Sequence, residues 1–152
     1  MRLSSLADYA VVMMSAAARH GCGARLSAAV LAEETHVPLP TAQKLMQRLA
    51  GAGLLVSARG TGGGFSLSRP AAAISLADII EAVEGPIALT TCVDETRDDC
   101  ALDHHCAVKP HWGVVNSAVR GALAGVTLNQ LAAIPDKARP AFVNAPMTEM
   151  VI

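Results

Sequence analysis

Leu6, Tyr9, Ala10, Met13 and Ala17 recur at helical spacing, which predicts an amphipathic helix from a cap at Ser4 or Ser5 to about Arg19. Gly21-Cys22-Gly23 then breaks the chain. Ser27 caps a second, short helix to about Thr35, and Pro38 prevents its continuation. Pro40 suits the first turn of a third helix that runs to the Gly51 and Gly53 breakers. Its period turns Ala42, Leu45, Met46 and Leu49 inward and leaves Thr41, Gln43, Lys44, Gln47 and Arg48 outward.

After that helix the period shortens to two. In LLVSARGTGGGFSLSRP, Phe65 and Leu67 alternate with Ser66 and Ser68, and the glycines form the tip of a hairpin that carries Arg59. A nucleotide-binding loop would need a helix to open directly after the glycines, and here a strand pattern follows instead. Ser75 caps a further helix, SLADIIEAVEG, stopped by Gly85-Pro86. Val108, Trp112, Val115, Val119, Ala122 and Val126 recur at alternating steps of four and three, the seam of a helix packed along a partner helix. A seam this narrow in so short a chain predicts a homodimer, with packing of part of it onto the chain's own first helix as the alternative. A short helix is expected over 127–133, and the proline-containing end, 134–152, reads as a disordered tail.

Composition adds less than pattern. The hydrophobic share of 52% includes only 3% aromatics, so it rests on small aliphatic side chains that pack helices closely. No run reaches the roughly 18 apolar residues of a membrane span, so no membrane partner is expected and the chain reads as cytoplasmic. Charge divides unevenly: seven Arg or Lys against three acids over 1–69 leave +4, and five against ten over 70–152 leave −5. A basic amino-terminal half suits an anionic polymer. The outward residues of the third helix are amide, hydroxyl and cationic groups able to bond base edges and phosphates, and a hairpin directly after a helix-turn-helix is a wing. From a glycine-rich tip the Arg59 guanidinium can enter a minor groove.

The candidate chemistry lies in TCVDETRDDCALDHHCAVKPH. Cys92, Cys100 and Cys106 are separated by seven and five residues, too far apart for the tight knuckles of a structural zinc site. Thiolates arriving from a long loop suit an iron-sulfur cluster, and the surrounding Asp94, Glu95, Asp98, Asp99 and Asp103 repel them until a cation gathers the loop. Zinc and thiol oxidation remain the alternative uses of these sulfurs. An enzyme built on Cys and His would need a pocket and an oriented third residue, and few aromatics are available to line one, so neither an enzyme nor a small-molecule substrate is expected.

Taken in order, the opening MRLSSLADYA, the segment VPLPTAQKLMQRLAGAGLLVSARGTGGGFSLSRP, the helix ISLADIIEAVEGP and the cysteine loop followed by Trp112 resemble the Rrf-type winged-helix regulators, the family of IscR and NsrR. The likeness covers about 1–133. It is strongest to regulators of the SUF iron-sulfur assembly system, which share the VPLPT and DIIEAVEGP wording. The resemblance implies a dimeric, cluster-binding transcription regulator, usually a repressor, on a palindromic operator of double-stranded DNA. It matches Cys92, Cys100 and Cys106 to the cluster cysteines. IscR-like members place a His three residues after the last cysteine, where this chain has Lys109, and NsrR-like members use an Asp in the first helix, where this chain has Asp8. Asp8 is thus the candidate fourth ligand, reaching the other subunit's cluster, with His104, His105 and His111 as competitors. The cluster type, 2Fe-2S or 4Fe-4S, stays open, because the first gap of seven departs from the five of IscR. The family's DNA contacts fall on Thr41, Gln43, Lys44 and Arg59, beside the period-derived Gln47, and Arg2 would add a phosphate contact.

The sequence therefore implies a mainly α fold with a small β-wing. A winged helix-turn-helix domain (1–85) leads through a cysteine loop (86–107) to a dimerisation helix and short terminal helix (108–133), then the tail (134–152). The expected function is cluster-sensing repression of suf-type assembly genes. The alternative is a regulator of the same family that senses nitric oxide, iron or thiol oxidation, or that holds structural zinc.

Overall fold

Serine hydroxyls start three of the helices by occupying backbone donors that a first turn leaves unpaired. In the computed structural model, which describes residues 2–97, 99–102 and 104–133, Ser4 accepts from the Ala7 amide to open α1 (Ser5–Arg19), and Ser27 accepts from Val30 to open α2 (Ala28–Thr35). His36 then adopts a left-handed conformation (φ 59°), which turns the chain sharply into α3 (Leu39–Gly51). Ser75 and Asp78 cap α4 (Leu76–Glu84) reciprocally, side chain to backbone in both directions.

Met13 and Met14 of α1, Leu31 of α2, Leu45, Met46 and Leu49 of α3 and Ile79 of α4 meet in one core, each almost wholly buried. The inward face of α3 is the one its period predicts. On α1 Ala10, Met13 and Ala17 are buried as the period predicts and Leu6 is half-buried, with Ala7 and Met14 beside them, whereas Tyr9, expected inside, is 36% exposed. α1 packs against α4 and α6, and its buried face combines the small Ala7 and Ala10 with Met13 and Met14.

The wing consists of β1 (Leu55–Ala58) and β2 (Gly64–Leu67), antiparallel with Leu55 opposite Leu67 and Ala58 opposite Gly64. Its base is stapled by Leu26, ahead of α2, which exchanges two backbone hydrogen bonds of 2.8 Å with Phe65. That close approach requires Gly64: at its φ of +138° a Cβ would lie 2.9 Å from the Leu26 carbonyl oxygen.

Beyond the cysteine loop, α5 (Lys109–Ala124) lies against α4, and α6 (Leu128–Ala132) returns to α1. The Leu76 amide donates to Val126 O (2.8 Å), the Leu128 amide donates to Ile74 O (2.7 Å), and the Leu128 side chain is fully buried in the main core. α5 is therefore a strap anchored past its end. The seam divides accordingly. Trp112, Val119 and Val126 are half-buried against the same chain, while Val108 (52%), Val115 (44%) and Ala122 stay exposed. Val126, the last seam position, lies just beyond the helix. Segment 134–152, expected to be a tail, lies outside the described residues. No helix among the described residues is long and apolar enough to cross a membrane.

Candidate nucleic-acid interface and cysteine loop

α3 begins at a proline without a side-chain cap, so its first-turn amides are left to other partners. Gln43, Lys44 and Gln47 stand exposed on it, and Thr41 is half-buried. A groove of about 630 Å³ separates α3 from the wing; Gln47 and Arg59 line it together with Ser57 and Phe65. Arg59 is exposed at the hairpin tip. The tip's backbone is held from the opposite side, where Arg25 Nη1 donates to Gly62 O (3.0 Å). Arg2 lies elsewhere: it lines a separate cleft of about 570 Å³ with Leu3, Ile80, Glu84 and Trp112, at the junction of α4 and α5. Arg48, outward by period, donates instead from Nη1 to Val83 O of α4 (3.1 Å).

Cys92 sits on a short 3-10 turn, Thr91–Val93, which packs against α5, and its sulfur is 3.1 Å from the Thr90 hydroxyl. Cys92 and Cys100 line one cavity of about 420 Å³ with Asp94, Arg97, Lys109 and Asn116. Cys106 is half-buried and absent from that lining, Asp8 is exposed on α1, and His104, His105 and His111 are exposed. All four cysteines are free thiols. Their chemistry suits iron or zinc, and two of the three loop sulfurs share a wall. Among the described residues, however, no three His, Cys, Asp or Glu side chains are gathered to hold a metal ion. A single chain thus presents the donors without a finished ligand set.

Two acids of the loop have their ionised form favoured. The Arg97 guanidinium, 2.8 Å from the Asp99 carboxylate, holds that carboxyl below its ordinary range, and hydrogen bonds from Thr96 do the same for Asp94.

The residues that attach this loop to the helices were not singled out by sequence. Asn116 of α5 accepts from the Leu89 amide through Oδ1 (2.9 Å) and donates from Nδ2 to Ile87 O (2.9 Å). Arg120, one turn on, makes a two-pronged contact of 2.8 and 2.9 Å with the Glu81 carboxylate of α4. Arg120 holds Glu81 below the usual carboxylate range, against an opposing effect of burial. An amide in the middle of a valine-rich helix and a carboxylate within α4 were the available signals.

Residues 3–134 match the family profile described as "Rrf2: Iron-dependent Transcriptional regulator". The chain is 33% identical over 131 residues to the HTH-type transcriptional regulator IscR of Photobacterium profundum, covering 86% of this chain and 75% of that one. Among solved structures it is similar to CymR, the global cysteine regulator of B. subtilis (TM-score 0.68, 28% identity, 90% of this chain and 99% of that one). It is also similar to T. potens IscR (TM-score 0.64, 26% identity, 86% and 85%). The helix-turn-helix, the two-stranded wing and a profile spanning nearly every described residue together place this chain in the Rrf2 family of winged-helix transcriptional regulators, which are not enzymes.

Proposed function

We propose that the protein is an iron-sulfur cluster-sensing repressor of suf-type cluster-assembly genes, acting as a homodimer on a palindromic operator. The observation that carries the sensing part is the Asn116 clamp, because it ties the root of the cysteine loop to the helix whose exposed valines offer a dimer seam. Cys92, Cys100 and Cys106 would hold the cluster, with Asp8 contributed across the dimer and His104, His105 and His111 as competitors for the fourth position. When bound, a cluster supplies a thiolate-ligated centre whose presence depends on iron supply and oxidation.

The remaining work falls to the chain. Thr41, Gln43, Lys44 and Gln47 present donors and acceptors to a major groove and Arg59 enters the adjacent minor groove, whereas Arg2, in the cleft between α4 and α5, stands apart from that surface. A palindrome with half-sites about 34 Å apart accepts one spacing of the two recognition helices. That spacing is set where α5 meets its counterpart, and Asn116 makes α5 answer to the loop.

A second reading rests on Cys92 and Cys100 sharing a cavity wall without Cys106. Two such thiols suit an oxidation switch or zinc. Protein purified without air separates the readings: brown with sulfide and iron for the cluster, colourless for the alternatives. Operator affinity is then compared at matched salt before and after chelation. A change of roughly 5- to 150-fold, the ordinary range of allosteric coupling, is expected; equal affinities overturn the sensing proposal.

A further inference from the structure

Arg48 follows Gln47 on α3 and lies one turn from Lys44, so its period places it in the DNA-reading row. Its guanidinium is committed elsewhere. Val83 O, which it binds at 3.1 Å, is one of the carbonyls that the end of α4 cannot satisfy within the helix, so α3 supplies a cap for α4. The same turn of α4 also takes contacts from α1, from α5 and from the root of the cysteine loop. Glu84 accepts from the Ser4 amide at the start of α1 (2.9 Å). Glu81 takes Arg120 of α5 and also accepts from the Ile87 amide at the loop's root (3.4 Å). Gly85, with φ +88°, then swings the chain into the loop.

We infer that Arg48 is a positioning residue, through which the state of the cysteine loop adjusts how the recognition helix is presented to the operator. The inference rests on the loop-sensing reading above. Its physical content is that α4's last turn is held by charge-assisted contacts from α1, α3 and α5 at once, so a displacement at Ile87 cannot be absorbed at α4 alone. The α3 side chains Leu45, Met46 and Leu49 are fully packed, so α3 responds as a rigid rod rather than by local distortion. Lys44 and Gln47, within one turn of the contact, move with it.

The test compares operator affinity for two loop states, the intact loop and Cys92→Ser/Cys100→Ser/Cys106→Ser, each with Arg48 and with Arg48→Gln, in protein prepared without air. With Arg48 present the two states should differ roughly 5-fold or more, and with Arg48→Gln the difference should fall to about 2-fold or less. Arg48→Lys, which unlike the shorter neutral Gln keeps a charged donor able to reach the Val83 carbonyl, should restore part of it. If the Arg48→Gln pair retains the full difference, Arg48 does not couple the two regions and this inference fails alone. If Arg48→Gln weakens both states equally and lowers the salt slope by about one, Arg48 is a phosphate contact, which also overturns the inference. No difference with Arg48 present defeats the sensing reading and this inference with it. Hydrogen exchange needs no Arg48 variant: amides of 47–51 should change protection between the two loop states, and unchanged protection overturns the coupling.

Discussion

Replacing Asn116 by Ala removes both prongs of the clamp between the cysteine loop and α5. The Leu89 amide and the Ile87 carbonyl lose half-buried partners at 2.9 Å each. Leaving a buried polar group unpaired costs about 1–3 kcal/mol, or about 2–6 kcal/mol for two, and water reaching this half-buried site reduces the total to about 1–3 kcal/mol. The expected result is local. The Leu89 amide should exchange roughly 5- to 150-fold faster, because opening of this segment becomes easier by that free energy. Core amides in the middle of α1 should change little, since both hydrogen bonds of Asn116 go to the root of the loop. Asn116→Asp divides the effect: it keeps an acceptor for Leu89 and loses the donor to Ile87, so Leu89 protection should survive better than in the alanine variant. Amide exchange followed by mass spectrometry reads both. Unchanged Leu89 exchange in Asn116→Ala would mean that the loop is held by other contacts, and the argument that α5 follows the loop would have to be abandoned.

Other outcomes follow from single residues. Leu128→Ala should cost about 2–5 kcal/mol by urea denaturation, because the side chain is fully buried in the main core although it comes from α6, beyond the cysteine loop; a cost typical of a surface site would contradict the strap arrangement. Gly63→Ala should open the wing tip at a cost of about 1–3 kcal/mol, since the added Cβ would lie 2.6 Å from Ala58 O and 2.8 Å from Gly60 O; operator affinity measured by anisotropy should drop, and wild-type affinity would refute the rigid-wing geometry. The Glu81 carboxyl is lowered by Arg120, so its stabilisation is present above the ordinary glutamate pKa and is lost as pH falls through the lowered value. With Arg120 half-exposed the pair is worth about 0.2–1 kcal/mol, so wild type and Glu81→Gln should differ by that much near neutrality and converge in acid; a gap that widens on acidification would show the sign to be wrong.

Much of the local structure was legible in the residues themselves. Caps at Ser4, Ser27 and Ser75, the proline entry to α3, the apolar row Ala42, Leu45, Met46 and Leu49, and the hairpin all depend on neighbours within four positions or on strand alternation, where short-range sterics and hydrogen bonding decide. The grouping of three cysteines with acids in one loop was equally plain. Tertiary structure decided what covers each face and which partner each polar group takes. Period places Arg48 outward, where it stays exposed, but only the fold gives its guanidinium the Val83 carbonyl as a partner; period puts Tyr9 inside, and the fold leaves it exposed. Leu128 ends in the core and Asn116 on the loop because α5 crosses α4, a contact between segments distant in the chain. A hydrophobic repeat fixes a direction around a helix axis and carries no information about the element that will lie there, whereas hydrogen-bond partners such as Ser4 and Glu84, eighty residues apart, exist only after the chain has closed on itself.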